Sequence, residues 1–319
     1  MKNFFKSLFV SEEVNPEEAQ KKEEDKKFEL FKYDGIRAQN MGQLDFAVKC
    51  YRGALDIRAD EEVLEHMGQA LSVLGRLDEA FDAYSKLAES YPDKVTHFLA
   101  LSNVCFLLDK YDDMLAAAQK AIDVDGENPG AYYLHGRANG ALKNEVMAVA
   151  DYTKAISLRE DYTEAMLMRA DVLISMGQLE DAGKDLDAIL AQNDSDEDAL
   201  RLKGKMLESL GKAEEAETVY KNLIETDPFN QQAYLSLGKL YITQEKIDEA
   251  ISLFSDAIDL NPNFAEAYKE RGRAKLLKGD EAGSLEDGKK AVELNPKEAD
   301  VSGQFENKEN KSINILGID

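Results

Sequence analysis

Residues 231–264 read QQAYLSLGKLYITQEKIDEAISLFSDAIDLNPNF, and this one stretch decides the fold. Ala233, Tyr234, Leu237, Gly238 and Tyr241 are apolar or small at the three- and four-residue spacing of one helical face. Ala250, Leu253, Phe254 and Ala257 repeat that spacing in a second segment. Two such helices in antiparallel contact approach closely only where side chains are small. A bulky residue at Gly238, or at Gly204 one unit earlier, is therefore expected to overpack.

Working outward, the same pattern occurs eight times between Phe28 and Glu298, with units starting near residues 28, 61, 95, 129, 163, 197, 231 and 265. A small residue recurs early in each unit, at Gly35, Gly68, Ser102, Gly136, Ala170, Gly204, Gly238 and Gly272. Twelve residues later stand Ala47, Ala80, Met114, Ala148, Ala182, Ala216, Ala250 and Ser284. Four further on, aromatics dominate as Tyr51, Tyr84, Tyr152, Tyr220 and Phe254. A fixed period near 34 with small residues at helix contacts marks a repeat array. The spacing assigns the rings to the seam with the following unit.

These anchors resemble the tetratricopeptide repeat family, in which an aromatic stands early, glycine at position 8, alanine at 20 and 27, and proline at 32. Position 32 here holds Pro92, Pro228, Pro262 and Pro296, but Ala59, Gly126, Glu160 and Asp194 in the other units. Tryptophan, common at position 4 of the family, is absent; Phe31, Leu64, Phe98, Tyr132, Met166, Leu200, Tyr234 and Tyr268 take its place. The resemblance implies an all-α fold, a right-handed α-solenoid of eight helix-turn-helix units.

Local signals agree. All six prolines fall between helices or in a first turn, where a missing amide hydrogen does no harm. Asn263 with Glu266, and Asp161 with Glu164, have capping-box spacing. A stack whose units touch only their neighbours has no single core to saturate, so residues 28–298 read as one elongated domain. Before it, Asn15 caps a helix that opens on Pro16, Glu17 and Glu18 and extends the first repeat as a solvated, charged helix. After it, residues 299–319 read as a disordered tail in which Ile313, Ile315, Leu316 and Ile318 form a candidate docking peptide.

The formal charge of -24 opposes binding to nucleic-acid phosphates, which requires basic surface. Cys50 and Cys105 stand far apart, so a disulfide framework is not credible and a reducing, cytoplasmic setting is expected. Residues 1–10 place Phe4, Phe5, Leu8 and Phe9 on one helical face; beside a frayed terminus, the alternatives are a docking peptide or a membrane foot.

Chemistry is sought and not found. His66, His97 and His135 occupy different positions of three units and do not converge as metal ligands. Asp123, Asp125 and Gly126 lack the ligand alternation and closing glutamate of a calcium loop and read as a turn. No phosphate-binding glycine loop and no nucleophile with a matching base appear, so neither enzyme activity nor a cofactor is expected.

What remains is a binding surface. In tetratricopeptide arrays the first helices line a groove that holds an extended peptide or a helix of a partner protein. Carried onto this chain, the resemblance implies Leu99, Asn103, Phe106, Tyr133, Arg137, Leu167, Met168 and Asp171 in the central groove, and Arg201, Lys205, Lys239, Lys269 and Arg273 in the C-terminal half. The implied partner is a segment with acidic residues and apolar anchors. The family's chaperone-adaptor carboxylate clamp is not matched: Lys32 fits its first position, but Ile36, His66, Thr96 and Ala100 occupy the others. The chain is thus expected to be a scaffold or adaptor, the alternative being an assembly or secretion factor tethered through residues 1–10.

Overall fold

A computed structural model describes residues 16–296. The expectations for Asn15, for residues 1–10 and for the tail beyond residue 298 lie outside the described residues. Sixteen helices and no strand occur among those residues. They alternate as pairs, α1 (Pro16–Asn40) with α2 (Leu44–Leu55), α3 (Glu61–Val73) with α4 (Leu77–Ser90), α5 (Val95–Leu107) with α6 (Tyr111–Val124), and α7 (Pro129–Ala141) with α8 (Glu145–Leu158). The chain divides after Tyr162 into two compact units. The second holds α9 (Thr163–Ser175) and α10 (Leu179–Gln192), α11 (Glu197–Ser209) and α12 (Ala213–Thr226), α13 (Gln231–Thr243) and α14 (Ile247–Leu260), and α15 (Ala265–Leu277) and α16 (Glu281–Leu294).

Five of the eight described pairs are closed by a ring on a glycine. A Cβ added at Gly136 would lie 2.8 Å from Tyr152 Cε1, and one at Gly68 would lie 2.7 Å from Tyr84 Cζ. Gly35 with Tyr51, Gly204 with Tyr220 and Gly238 with Phe254 repeat the arrangement. The structure therefore corrects the assignment of these rings to the seam: each lies over the glycine of its own unit, although Tyr51 also stacks on His66 of the next. All five rings are buried, and the Tyr51 and Tyr220 hydroxyls each donate 2.6 Å bonds, to Gln39 Oε1 and Glu208 Oε1.

Every turn within a pair passes through a left-handed residue at the same register. Glycine fills it at Gly42, Gly75, Gly177, Gly211 and Gly279, while Asp109, Lys143 and Glu245 adopt φ of 55°, 63° and 60°. Backbone of that hand is strained for any residue with a Cβ, and sequence reading did not register the position.

The capping expectation is corrected. α15 begins after Phe264, whose side chain makes no cap bond, and α9 begins at Thr163, two residues beyond Asp161. Buried Phe264 and Tyr162 stand where a polar cap would be, so burial outweighs capping at those two joints. The caps that do form are Asp60, Asn128, Asp196, Asn230 and Asp280, which accept from the amides of Val63, Ala131, Ala199, Ala233 and Gly283. The N-terminal extension matches its reading: α1 runs without a break from Pro16, with Glu17 and Glu18 in its first turn and residues 17–24 exposed. Asp125 builds the expected turn, accepting from the Glu127 amide at 3.1 Å.

Candidate binding face

In the first unit, the faces of α5 and α7 meet through side chains on the implied groove positions. The Arg137 guanidinium lies over the Phe106 ring at 3.7 Å and 5.5 Å from the Tyr133 centroid. Tyr133 in turn stands 5.1 Å from Tyr162 and 6.1 Å from Tyr152. Leu99, Phe106, Tyr133 and Arg137 are half-buried, and Asn103 is exposed. A flat guanidinium on an aromatic face is attracted by the ring's negative quadrupole and sheds part of its hydration there. Arg137 has no carboxylate partner among the described residues.

The setting is unusual for so acidic a chain. With 63 Asp and Glu in all, α5 contains no Asp, Glu, Lys or Arg, and α7 contains no acid and one arginine. Two large apolar side chains on the same stripe escaped the sequence reading: Val73 is 75% exposed and Leu107 is 57% exposed. Both stand at the last groove position of their helices, so applying the family's register to every unit would have found them.

In the second unit the expected positive surface is largely neutralised. Lys205 Nζ lies 2.7 Å from Asp171 Oδ1, and Arg201 pairs with Asp198 at 3.2 Å. Lys239 and Arg273 share Glu270 at 3.8 and 3.6 Å. Lys205, Lys239 and Lys269 are exposed, but Arg201 and Arg273 are half-buried. An acid three residues earlier on the same helix reaches Arg201 and Arg273, and one from a neighbouring repeat reaches Lys205 and Lys239. Leu167 is half-buried and Met168 is 38% exposed.

Sequence reading also missed an ionic contact that recurs between paired helices. Arg169 grips Asp185 through two bonds of 2.8 and 2.6 Å, and Arg271 grips Asp287 at 2.9 and 2.7 Å. In the equivalent place His135 Nδ1 stands 2.7 Å from Asp151 Oδ2, which also accepts from Asn139 at 2.8 Å. Leu237 and Leu253 fill that register in the seventh unit, so an ion pair and an apolar pair are interchangeable there. Hydrogen bonding to Asp287 raises the Arg271 guanidinium above its ordinary value, against the opposing effect of burial. These pairs are structural, lying inside the helix pairs.

Burial pushes the Cys105 thiol up to about 11, and both cysteines are free and buried. Lys32, the one match to a carboxylate clamp, is held by Asp60 and Glu62 at 3.1 and 2.7 Å. No described group of three or more His, Cys, Asp or Glu could hold a metal ion, and no described helix is long and apolar enough to cross a membrane.

Helix pairs repeating at 34 residues define a helical repeat scaffold. Family models of the tetratricopeptide repeat match residues 62–94, 129–162, 146–206 and 207–276, together more than half of the chain, which belongs to that family. Among curated proteins it is similar to DnaJ homolog subfamily C member 3 of Mus musculus and of Homo sapiens, each 31% identical over 86 residues. That match covers 27% of this chain and only 17% of the length of those relatives. Among solved structures, a tetratricopeptide repeat protein from Parabacteroides merdae ATCC 43184 superimposes with a TM-score of 0.65 at 19% identity, over 76% of this chain and 96% of that one. Cut9 and Hcn1 of the APC/C assembly give 0.56 at 16% identity, over 84% of this chain and 53% of that one. A monomeric IFIT1 mutant with m7Gppp-AAAA gives 0.53 at 16%, over 87% and 72%. At these identities the likeness is one of fold.

Proposed function

We propose that this chain is a non-catalytic adaptor whose first-helix faces bind a segment of a partner protein, and that the acid-free face of α5 and α7 is the primary contact. The observation that carries this reading is the absence of any Asp or Glu from those two helices in a chain of net charge -24, beside exposed Leu107 and Val73. A solvated face in such a chain would be expected to carry acids, as the first helices α1, α3, α9, α11 and α15 do; α13 shares the absence. A binding face, by contrast, excludes charges that an apolar partner would have to desolvate. The occupant is an apolar segment bearing one carboxylate, which meets the Arg137 guanidinium already stripped of water by Phe106. A charge-assisted, two-pronged bond to arginine fixes the register of such a segment.

In the second unit, Arg201, Lys205, Lys239, Lys269 and Arg273 are the secondary set. An acidic stretch there must displace Asp171, Asp198 and Glu270, so it contributes selectivity more than affinity. The net charge argues against nucleic acid as the partner, and two free thiols fit a reducing compartment such as the cytoplasm.

The test is selection of a displayed random-peptide library on the intact protein, followed by titration of the winners against Leu107→Asp and Arg137→Gln. Leu107 is exposed, so its replacement leaves the fold intact, which circular dichroism verifies. Enriched peptides should share two or more apolar residues and lose about tenfold or more in affinity for Leu107→Asp. Arg137→Gln should weaken only those that carry Asp or Glu. Winners that bind both variants as well as the intact protein would refute the assignment.

A further inference from the structure

The second unit carries an open depression of about 160 Å³ on the edge where its helix pairs join. Pro228 and Phe229 from one joint, Asn261 and Phe264 from the next, and Tyr234 and Leu260 from the helices between them line it. Phe229 is 69% exposed and Leu260 is 45% exposed. A cavity of about this size accepts a benzene-sized guest. Phe264, at the next joint but one position later in the register, is buried, whereas Phe229 is exposed.

The chain itself arrives at this edge. Pro228, Pro262 and Pro296 recur at one register of successive units, so the described chain ends at Pro296 on the side of the unit that carries the depression, two joints along. Beyond it the sequence continues through residues 297–312 to Ile313, Ile315, Leu316 and Ile318. Those 16 intervening residues span up to about 55 Å when extended and about 22 Å on average as a flexible chain. Two joints, at about 10 Å per packed helix, lie about 20 Å away. The linker length therefore matches the span, the condition under which a tethered group reaches an effective concentration on the order of 1 mM.

We propose that residues 313–318 of this chain dock intramolecularly on the apolar edge formed by Phe229, Leu260 and their neighbours. One branched aliphatic side chain enters the depression and the rest covers the Phe229 ring. The surface lies on the joint edge and not on the α5–α7 face, so this docking stands or falls independently of the proposed adaptor function. A partner that used the same edge would have to compete with the chain's own segment.

Hydrogen exchange of the full-length protein, followed by mass spectrometry, tests this. At about 1 mM effective concentration and a dissociation constant of about 0.1 mM, amides of residues 313–318 should exchange about tenfold more slowly than in an unstructured peptide. The slowing should vanish in Phe229→Asp/Leu260→Asp and in Ile315→Asp/Leu316→Asp. It should persist in Leu285→Asp/Val292→Asp, which alters the open face of α16, and should not change on dilution. Phe229 and Leu260 are exposed, so their replacement does not threaten the fold. Exchange at the unstructured rate in the unmodified chain would overturn the proposal. So would protection that survives the Phe229/Leu260 variant, or that disappears with the Leu285/Val292 variant. Protection that grows with protein concentration would assign the occupant to a second copy and equally overturn it.

Discussion

The same chemical change, glycine to alanine inside a helix, should have opposite signs at Gly136 and Gly288. In both, alanine loses less backbone entropy on folding, which favours the helix by about 0.5–1 kcal/mol. At Gly288 a new Cβ meets nothing within 4 Å, so the gain should appear undiminished. At Gly136 the Cβ would lie 2.8 and 2.9 Å from Tyr152 Cε1 and Cδ1 and 3.2 Å from Asp151 Cβ. Tyr152 is 2% exposed, and Tyr133 stands against its ring, so it has no room to retreat. Overpacking of this kind costs about 1–3 kcal/mol, which leaves Gly136→Ala destabilised by up to about 2.5 kcal/mol, with about 1 kcal/mol at mid-range. Urea unfolding followed by circular dichroism measures both, with Tyr152→Leu as the check: removing the ring should abolish most of the penalty of Gly136→Ala. Equal stabilisation at the two sites, or a penalty indifferent to Tyr152, would refute the ring-on-glycine account of these helix pairs.

Three other outcomes follow from the same coordinates. Asp287, 3% exposed and bound by Arg271 and Lys275, should cost about 3–5 kcal/mol when replaced by alanine, because two cations are left without their counter-charge; thermal unfolding reads this. Bonds from Lys221 and Lys246 hold the Glu217 carboxyl at about 2. Its stabilising effect should be complete above the ordinary carboxylate range and fade as pH falls through that range toward 2, so Glu217→Gln should be less stable than the parent by about 1–2 kcal/mol at pH 7 and indistinguishable near pH 2. Lys143→Gly should stabilise by up to about 1 kcal/mol by relieving its left-handed backbone, against no gain for the same change at a right-handed, exposed position of the helix that follows.

The helix pairs were legible in the sequence because their anchors recur in register from Gly35 to Gly272, but the rings from Tyr51 to Phe254 were assigned to the next seam, because spacing alone does not tell which side of its helix pair a ring covers. The joints were less legible. Asn263 and Asp161 have the composition of caps, but the positions beside them hold Phe264 and Tyr162, and the burial of a ring overrides a local hydrogen bond. The left-handed turn stayed hidden because Asp109, Lys143 and Glu245 interrupt its glycines. At the candidate face, Phe106, Tyr133 and Arg137 were named from the family's register, and their stacking needed coordinates. The pairing of Lys205 with Asp171 and of Lys239 and Arg273 with Glu270 was invisible to an argument that weighed each cation alone. Same-register residues of neighbouring units are adjacent in space, so charge has to be summed across units before a field is inferred.

Both halves of the ring-on-glycine contact lie within a single unit, sixteen residues apart in each case from Gly35 and Tyr51 to Gly238 and Phe254. A duplication or deletion cut at the joints therefore carries the lock and its key together, and never leaves a large ring facing a Cβ inherited from elsewhere. Lineages of such a chain can change their number of units without first re-solving the interior of any one of them, and an engineer splicing in a ninth pair at Pro228 or Pro262 can expect the same freedom.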